Sequence, residues 1–125
     1  MRLLLDTPIF LWAVAGSPRQ KPATRRVLES AQQVYVSAAS LWEVAIKAKL
    51  GKIHADPLEL AAAIELSGFV ELAVSSAHAA GVARLASHHG DPFGRLLIAQ
   101  AVAEPLRLLT ADALLAQYSD LVLLV

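Results

Sequence analysis

Short, wholly apolar runs alternate along this chain with longer stretches of helical period. Leu3-Leu4-Leu5 follows Arg2 and ends at Asp6; with no polar alternation it reads as a strand buried on both faces, as in a parallel sheet. Thr7-Pro8 reads as a turn, Ile9 to Val14 as a short apolar helix, and Gly16-Ser17-Pro18 as its end. Residues 22–31 open with proline and set Val27 and Leu28 against Arg25, Arg26 and Glu29, an amphipathic helix. Val34-Tyr35-Val36 is β-branched and aromatic, a second strand. In Leu41 to Leu50 the apolar Leu41, Val44, Ala45 and Ala48 share one helical face and Glu43 and Lys47 share another. Gly51 suits the residue after that helix.

The second half repeats the scheme. Asp56-Pro57 starts a helix to about Leu66, closed by Ser67-Gly68, and Phe69 to Leu72 is a third strand. Ser75 or Ser76 caps a helix through Leu85. Asp91-Pro92 opens a helix to about Ala103 with apolar residues on nearly every face, so it is expected to be buried. Leu106 to Leu109 is a fourth strand, 113–117 a short helix and Leu121 to Val125 a closing strand. Strands alternating with helices predict an α/β fold, a mostly parallel sheet of four to five strands between helical layers. No linker, repeat or low-complexity stretch interrupts it, so residues 1–125 are expected to form one domain.

Composition narrows the function classes. The 125 residues are 56% hydrophobic and lack cysteine, which excludes disulfides, thiol catalysis and zinc–thiolate sites and suits a reducing cytoplasm. No apolar run approaches the ~20 residues of a membrane span, and nothing reads as a signal peptide. Net charge is zero but uneven: residues 1–52 hold eight bases and three acids, residues 53–125 three bases and eight acids. The basic half suggests an anionic partner. Arg19, Lys21, Arg25, Arg26 and Lys47 are candidates for a nucleic-acid phosphate backbone.

Four acids stand where chemistry gathers in open parallel sheets, beyond strand carboxyl ends and at helix starts: Asp6, Glu43, Asp91 and Asp112. Each has a structural alternative as a helix cap; Ser40 with Glu43 even fits a capping box, and Glu43 can pair with Lys47 at i+4. Brought together, four carboxylates would repel one another, and a hard divalent cation such as Mg²⁺ would relieve them. Such an ion can activate water against a phosphodiester. His54 and His78 read as surface or interface residues, while His88 and His89 stand near the expected cleft mouth. Trp12 and Trp42 read as core packing by default, with use at an interface second. A phosphoacceptor signalling domain of this length would need paired acids after strand one and an acid after a central strand; the lone Asp6 and the residue after Val36, Ser37, argue against it.

Four blocks resemble a known family: Leu3-Leu4-Leu5-Asp6-Thr7, Ser37 to Lys47, His89-Gly90-Asp91-Pro92-Phe93 with Leu97 to Ala101, and Leu109-Thr110-Ala111-Asp112 are similar to PIN-domain ribonucleases of the VapC toxin type. The resemblance implies a three-layer α/β/α fold. It also implies a Mg²⁺- or Mn²⁺-dependent endoribonuclease, the toxin of a type II toxin–antitoxin pair, which usually dimerises and is neutralised by a VapB-type antitoxin. Asp6, Glu43, Asp91 and Asp112 match the family's catalytic and metal-binding acids. Two positions depart: Pro8 stands where histidine is frequent, and Gly94 where the third block commonly carries a second aspartate. The alternative is therefore a catalytically impaired PIN domain retained for antitoxin or RNA binding.

Overall fold

The computed structural model describes residues 1–88 and 90–125, so His89 lies outside the described residues. Five strands, β1 (Arg2–Leu5), β2 (Gln33–Ser37), β3 (Val70–Leu72), β4 (Arg107–Thr110) and β5 (Val122–Leu124), form one wholly parallel sheet in the order β3-β2-β1-β4-β5. Six helices connect them: α1 (Thr7–Ala15), α2 (Pro22–Ser30), α3 (Ala38–Lys49), α4 (Pro57–Leu66), α5 (Ser76–Gly81) and α6 (Pro92–Ala103). The expected 113–117 helix is a 3-10 turn at Leu115–Gln117, and a similar turn at Val82–Arg84 ends the stretch begun by α5.

The central strand is buried on both faces, as its unbroken leucine run predicts. Leu3 and Leu5 pack on one side with Ile9, Phe10, Val36 and Leu109; Leu4 packs on the other with Leu97, Ile98 and Leu108. These are the two cores of an α/β/α sandwich. The strand order reverses at β1, since β2 and β3 lie to one side and β4 and β5 to the other. A crevice opens beyond the carboxyl ends at such a reversal. Asp6 follows β1 there, and Asp112 lies two residues past β4.

Local chemistry sets the helix ends. Asp56 and Asp91 accept hydrogen bonds from Leu58 and Phe93 backbone N–H groups, and each is followed by proline in the first turn. Gly51, at φ 74°, closes α3 in the left-handed region that glycine tolerates. Three expectations change. Thr7 and Pro8 are the first turn of α1, because Asp6 itself caps that helix. Helix α3 begins at Ala38 under a Ser37 cap, so Ser40 lies inside it and no Ser40–Glu43 capping box forms. His78 is buried at 3% exposure, not a surface residue. Its Nδ1 accepts the Ser75 N–H, so Nε2 carries the proton and donates to Glu104 at 2.6 Å, fastening α5 to the end of α6.

Leu4 has no exposed surface and belongs to the core cluster with Leu97, Ile98 and Leu108, so Leu4→Ala should cost about 3 kcal/mol in urea unfolding. Val102→Ala on the exposed side of α6, where Val102 is 52% exposed, should stay within about 0.5 kcal/mol.

Candidate active site

Asp6 is held by two neighbours. Its Oδ1 accepts the Thr7 N–H at 2.9 Å, and its Oδ2 accepts the Thr110 hydroxyl at 2.6 Å. Thr110 Oγ1 in turn accepts the Asp112 N–H at 3.0 Å, so one hydroxyl ties the end of β1 to the turn after β4. On the other side Thr7 Oγ1 donates to Glu43 Oε1 at 2.8 Å and lies 2.9 Å from Ser40 Oγ. The Thr7 hydroxyl has one proton and a carboxylate only accepts, so the Ser40 hydroxyl donates to Thr7. The chain of bonds runs Ser40–Thr7–Glu43 and Thr7–Asp6–Thr110–Asp112.

Thr7, Ser40 and Thr110 are 2%, 1% and 0% exposed. The sequence pattern pointed to none of them as a support of the acids, Ser40 being expected only as a helix cap. The available signal was a hydroxyl standing in or beside an apolar run, as Thr110 does after Leu108-Leu109. Buried hydroxyls need partners, and carboxylates nearby supply them.

The four acids share one electrostatic neighbourhood. Burial pushes the Asp6 carboxyl above its ordinary 3.8; hydrogen bonds from Thr110 and Thr7 pull it back, and the charges of Glu43 and Asp112 push it up again. Glu43 is buried and its Oε2 pairs with Lys47 Nζ at 2.5 Å. That carboxylate raises the Lys47 ammonium above its ordinary value, with Asp91 and Asp6 adding to the effect. The i+4 pairing of Glu43 and Lys47 is thus realised, with the half-exposed Lys47 side chain lying at the edge of the acidic site.

Asp91 and Asp112, like Asp6, are also helix or turn caps. Asp91 Oδ1 caps α6 through Phe93 N–H, and Asp112 Oδ1 accepts the Leu114 N–H. A cap uses one carboxylate oxygen and fixes where the whole group stands. The all-oxygen donor set and the strain on the Asp6 charge fit a hard divalent cation. As the side chains stand, however, no three His, Asp or Glu among the described residues are close enough to hold one. Glu43 is turned to Lys47 and Thr7, and Asp6 to Thr110 and Thr7.

Gly94 faces the same place. A Cβ there would come 3.3 Å from Asp91 Oδ2 and 3.1 Å from Leu115 Cδ2. A side chain at 94 would therefore start beside the Asp91 carboxylate, on ground that buried Leu115 crowds. Phe93 meets Trp42 edge to face at 5.2 Å, and Trp42 is 61% exposed. The core role expected for Trp42 is therefore wrong; Trp12 does pack against the β1 core. Of the other bases, Arg19, Lys21, Arg25 and Arg26 are exposed around the start of α2.

Comparisons with known proteins agree with this architecture. A family model described as "PIN domain" matches residues 3–121. Among solved structures, the chain is similar to one from a VapBC2 complex of Rickettsia felis bound to a DNA fragment from its promoter. The TM-score is 0.70 at 17% identity, covering 100% of this chain and 98% of that one. A toxin–antitoxin complex from Klebsiella pneumoniae gives 0.67 at 20% identity, covering 97% and 95%. No curated protein matches the chain.

The raised Asp6 pKa has a sign that can be checked. A folded-state pKa above the unfolded one means the carboxyl favours folding while protonated. That contribution is lost as pH rises through the folded value. With EDTA present, Asp6→Asn should therefore melt above the wild type at neutral pH, and the gap should close as pH falls toward 3.8. Thermal melts across that range, showing a variant less stable than the wild type at neutral pH, would contradict the assignment.

Proposed function

The chain belongs to the PIN domain family, and from that premise we propose that it is a metal-dependent endoribonuclease, the toxin of a VapBC-type toxin–antitoxin pair. The observation that carries the reading is the part-buried Glu43–Thr7–Asp6–Thr110–Asp112 network at the strand-order reversal. A fold gains no stability from crowding carboxylates there; the arrangement suits charge supplied from outside.

Asp6, Glu43, Asp91 and Asp112 are the residues that would hold Mg²⁺ or Mn²⁺. When bound, such an ion supplies positive charge to the phosphodiester and lowers the pKa of a water. The chain's own groups do the rest. Thr7 and Thr110 orient the carboxylates. Lys47 neutralises Glu43 and stands where it can also meet a substrate phosphate. Arg19 and Lys21, with Arg25 and Arg26 farther along α2, offer cations to the RNA backbone. An antitoxin of VapB type and a second copy of the chain are the proposed protein partners, and the cytoplasm the proposed place of action.

One observation favours a second reading. Gly94 leaves the Asp91 carboxylate without an acid one turn on, and Leu115 crowds the space where one would start. On that reading the site is catalytically impaired and the fold is kept for antitoxin or RNA binding.

Cleavage of a structured RNA with Mg²⁺ separates the two. Active wild type, with Asp6→Ala slower by about a hundredfold or more and Thr110→Val by roughly tenfold, is the outcome expected of the nuclease. A silent wild type that gains activity in Gly94→Asp would establish the impaired reading instead.

A further inference from the structure

Beside Asp112 lies a cavity that the acidic site does not use. It has a volume of about 180 Å³, and Ile9, Trp12, Arg19, Gln20, Lys21 and Ala111 are among the residues lining it. Val125 also lines it and Ala111 directly precedes Asp112, so the cavity sits over the carboxyl ends of β4 and β5. That is the same edge of the sheet as the acids. Its walls combine an aromatic ring, two exposed cations and a buried amide. No acidic side chain lines it among the described residues.

The amide is the informative group. Gln20 is 3% exposed, and its Nε2 donates to the Ile9 carbonyl at 3.3 Å. That bond fixes which way the amide points. Its Oε1 is left as a buried acceptor with no partner among the described residues. A buried acceptor without a donor is costly unless something completes it. A ligand N–H from a base edge would do so.

We propose that this cavity is the subsite for a nucleotide flanking the cleaved phosphodiester, with its base against Trp12 and Gln20 and its phosphate on Arg19 and Lys21. It rests on the ribonuclease reading of the neighbouring acids. Aromatic stacking with cations along the backbone is the way unpaired strands are held without a duplex. The one-residue step from Ala111 to Asp112 places the subsite next to the reacting phosphate. An amide reading a base edge gives it a preference among bases, which the phosphate contacts alone would lack.

The test uses the full chain with Trp42→Phe, so that Trp12 is the sole tryptophan, in low salt and EDTA. A short single-stranded oligoribonucleotide should quench Trp12 fluorescence saturably, and a ribonucleoside monophosphate should do so more weakly. Arg19→Ala with Lys21→Ala should weaken oligonucleotide binding about tenfold and flatten the salt dependence of log K by about 1.4, the share of two phosphates. Exchanging them as Arg19→Lys with Lys21→Arg should restore it. Gln20→Leu should reduce the difference in affinity among oligonucleotides of different base.

Cleavage by the wild type, with no Trp12 quenching and an unchanged KM in the Arg19/Lys21 double variant, would overturn the subsite and leave the nuclease standing. Quenching by an acidic peptide but not by RNA would overturn it in favour of a protein partner. A wild type that neither binds nor cleaves RNA would overturn both the subsite and the reading it rests on.

Discussion

Burial of the Asp6 carboxylate at the end of the central strand is the constraint around which the rest is arranged. β1 must be apolar on both sides, because helices cover both faces of the sheet, so Leu3, Leu4 and Leu5 precede the charge without a polar break. The chain then turns directly into α1, and the carboxylate ends that strand by capping the helix. Burial raises the cost of its charge, and the charges of Glu43 and Asp112 raise it further. Two donors offset part of this, the Thr7 N–H and the Thr110 hydroxyl. Because Thr110 also accepts from the Asp112 backbone, holding Asp6 in place positions the turn after β4 as well. One buried charge thereby organises residues more than a hundred positions apart in sequence.

Much of this was legible along the chain, for a definite reason. Parallel strands buried on both faces need no alternation, and helices in such folds carry sharp end signals. Asp-Pro at 56–57 and 91–92 marks helix starts correctly in both cases. The parallel sheet followed from the alternation of elements, but the order of its strands did not, and the reversal at β1 accounts for why acids at distant positions share one edge of the sheet. What local pattern could not give was the choice between competing caps. Ser37 and Ser40 both precede a helical run, and only Ser40 has Glu43 three residues on; tertiary packing decides, because Ser40 is needed at Thr7. His78 and Trp42 fail for a related cause. An isolated histidine carries no period, and its burial depends on Glu104 approaching from another helix. Trp42 shares its helix with core residues but leans out over Phe93, a placement set by α6.

Capping does not compete with the catalytic role proposed for these acids. Asp6, Asp91 and Asp112 each hold a backbone N–H through one oxygen. A cap immobilises a carboxylate at a fixed angle to its helix, the preorganisation a charged site requires. Glu43 differs. It has no cap to make and is held by Thr7 and Lys47, one bond to a buried hydroxyl and one to a half-exposed ammonium. Of the four it is the acid whose surroundings can most readily change, since the lysine can move to solvent while the threonine cannot.

Gly94 marks where packing and charge compete most directly. The first turn of α6 lies between the Asp91 carboxylate and Leu115, and a side chain starting at 94 would press on both. Leu115 is 2% exposed and belongs to the core that covers Leu4 and Leu108. A second acid at 94 would therefore add charge beside Asp91 and oblige the Leu115 side chain to give by a few tenths of an ångström. Glycine avoids both, at a cost of up to about 1 kcal/mol in helix propensity relative to alanine. The backbone there stays in ordinary helical geometry, so the glycine is not answering a need for unusual dihedral angles. What it answers is space. Leu115 follows Asp112 in the same 3-10 turn region, so the residue that crowds position 94 is fixed by the segment that positions the last acid. In this chain the two ends of the acidic cluster are coupled through an apolar contact, and the acid count at one end is tied to how tightly the other is packed.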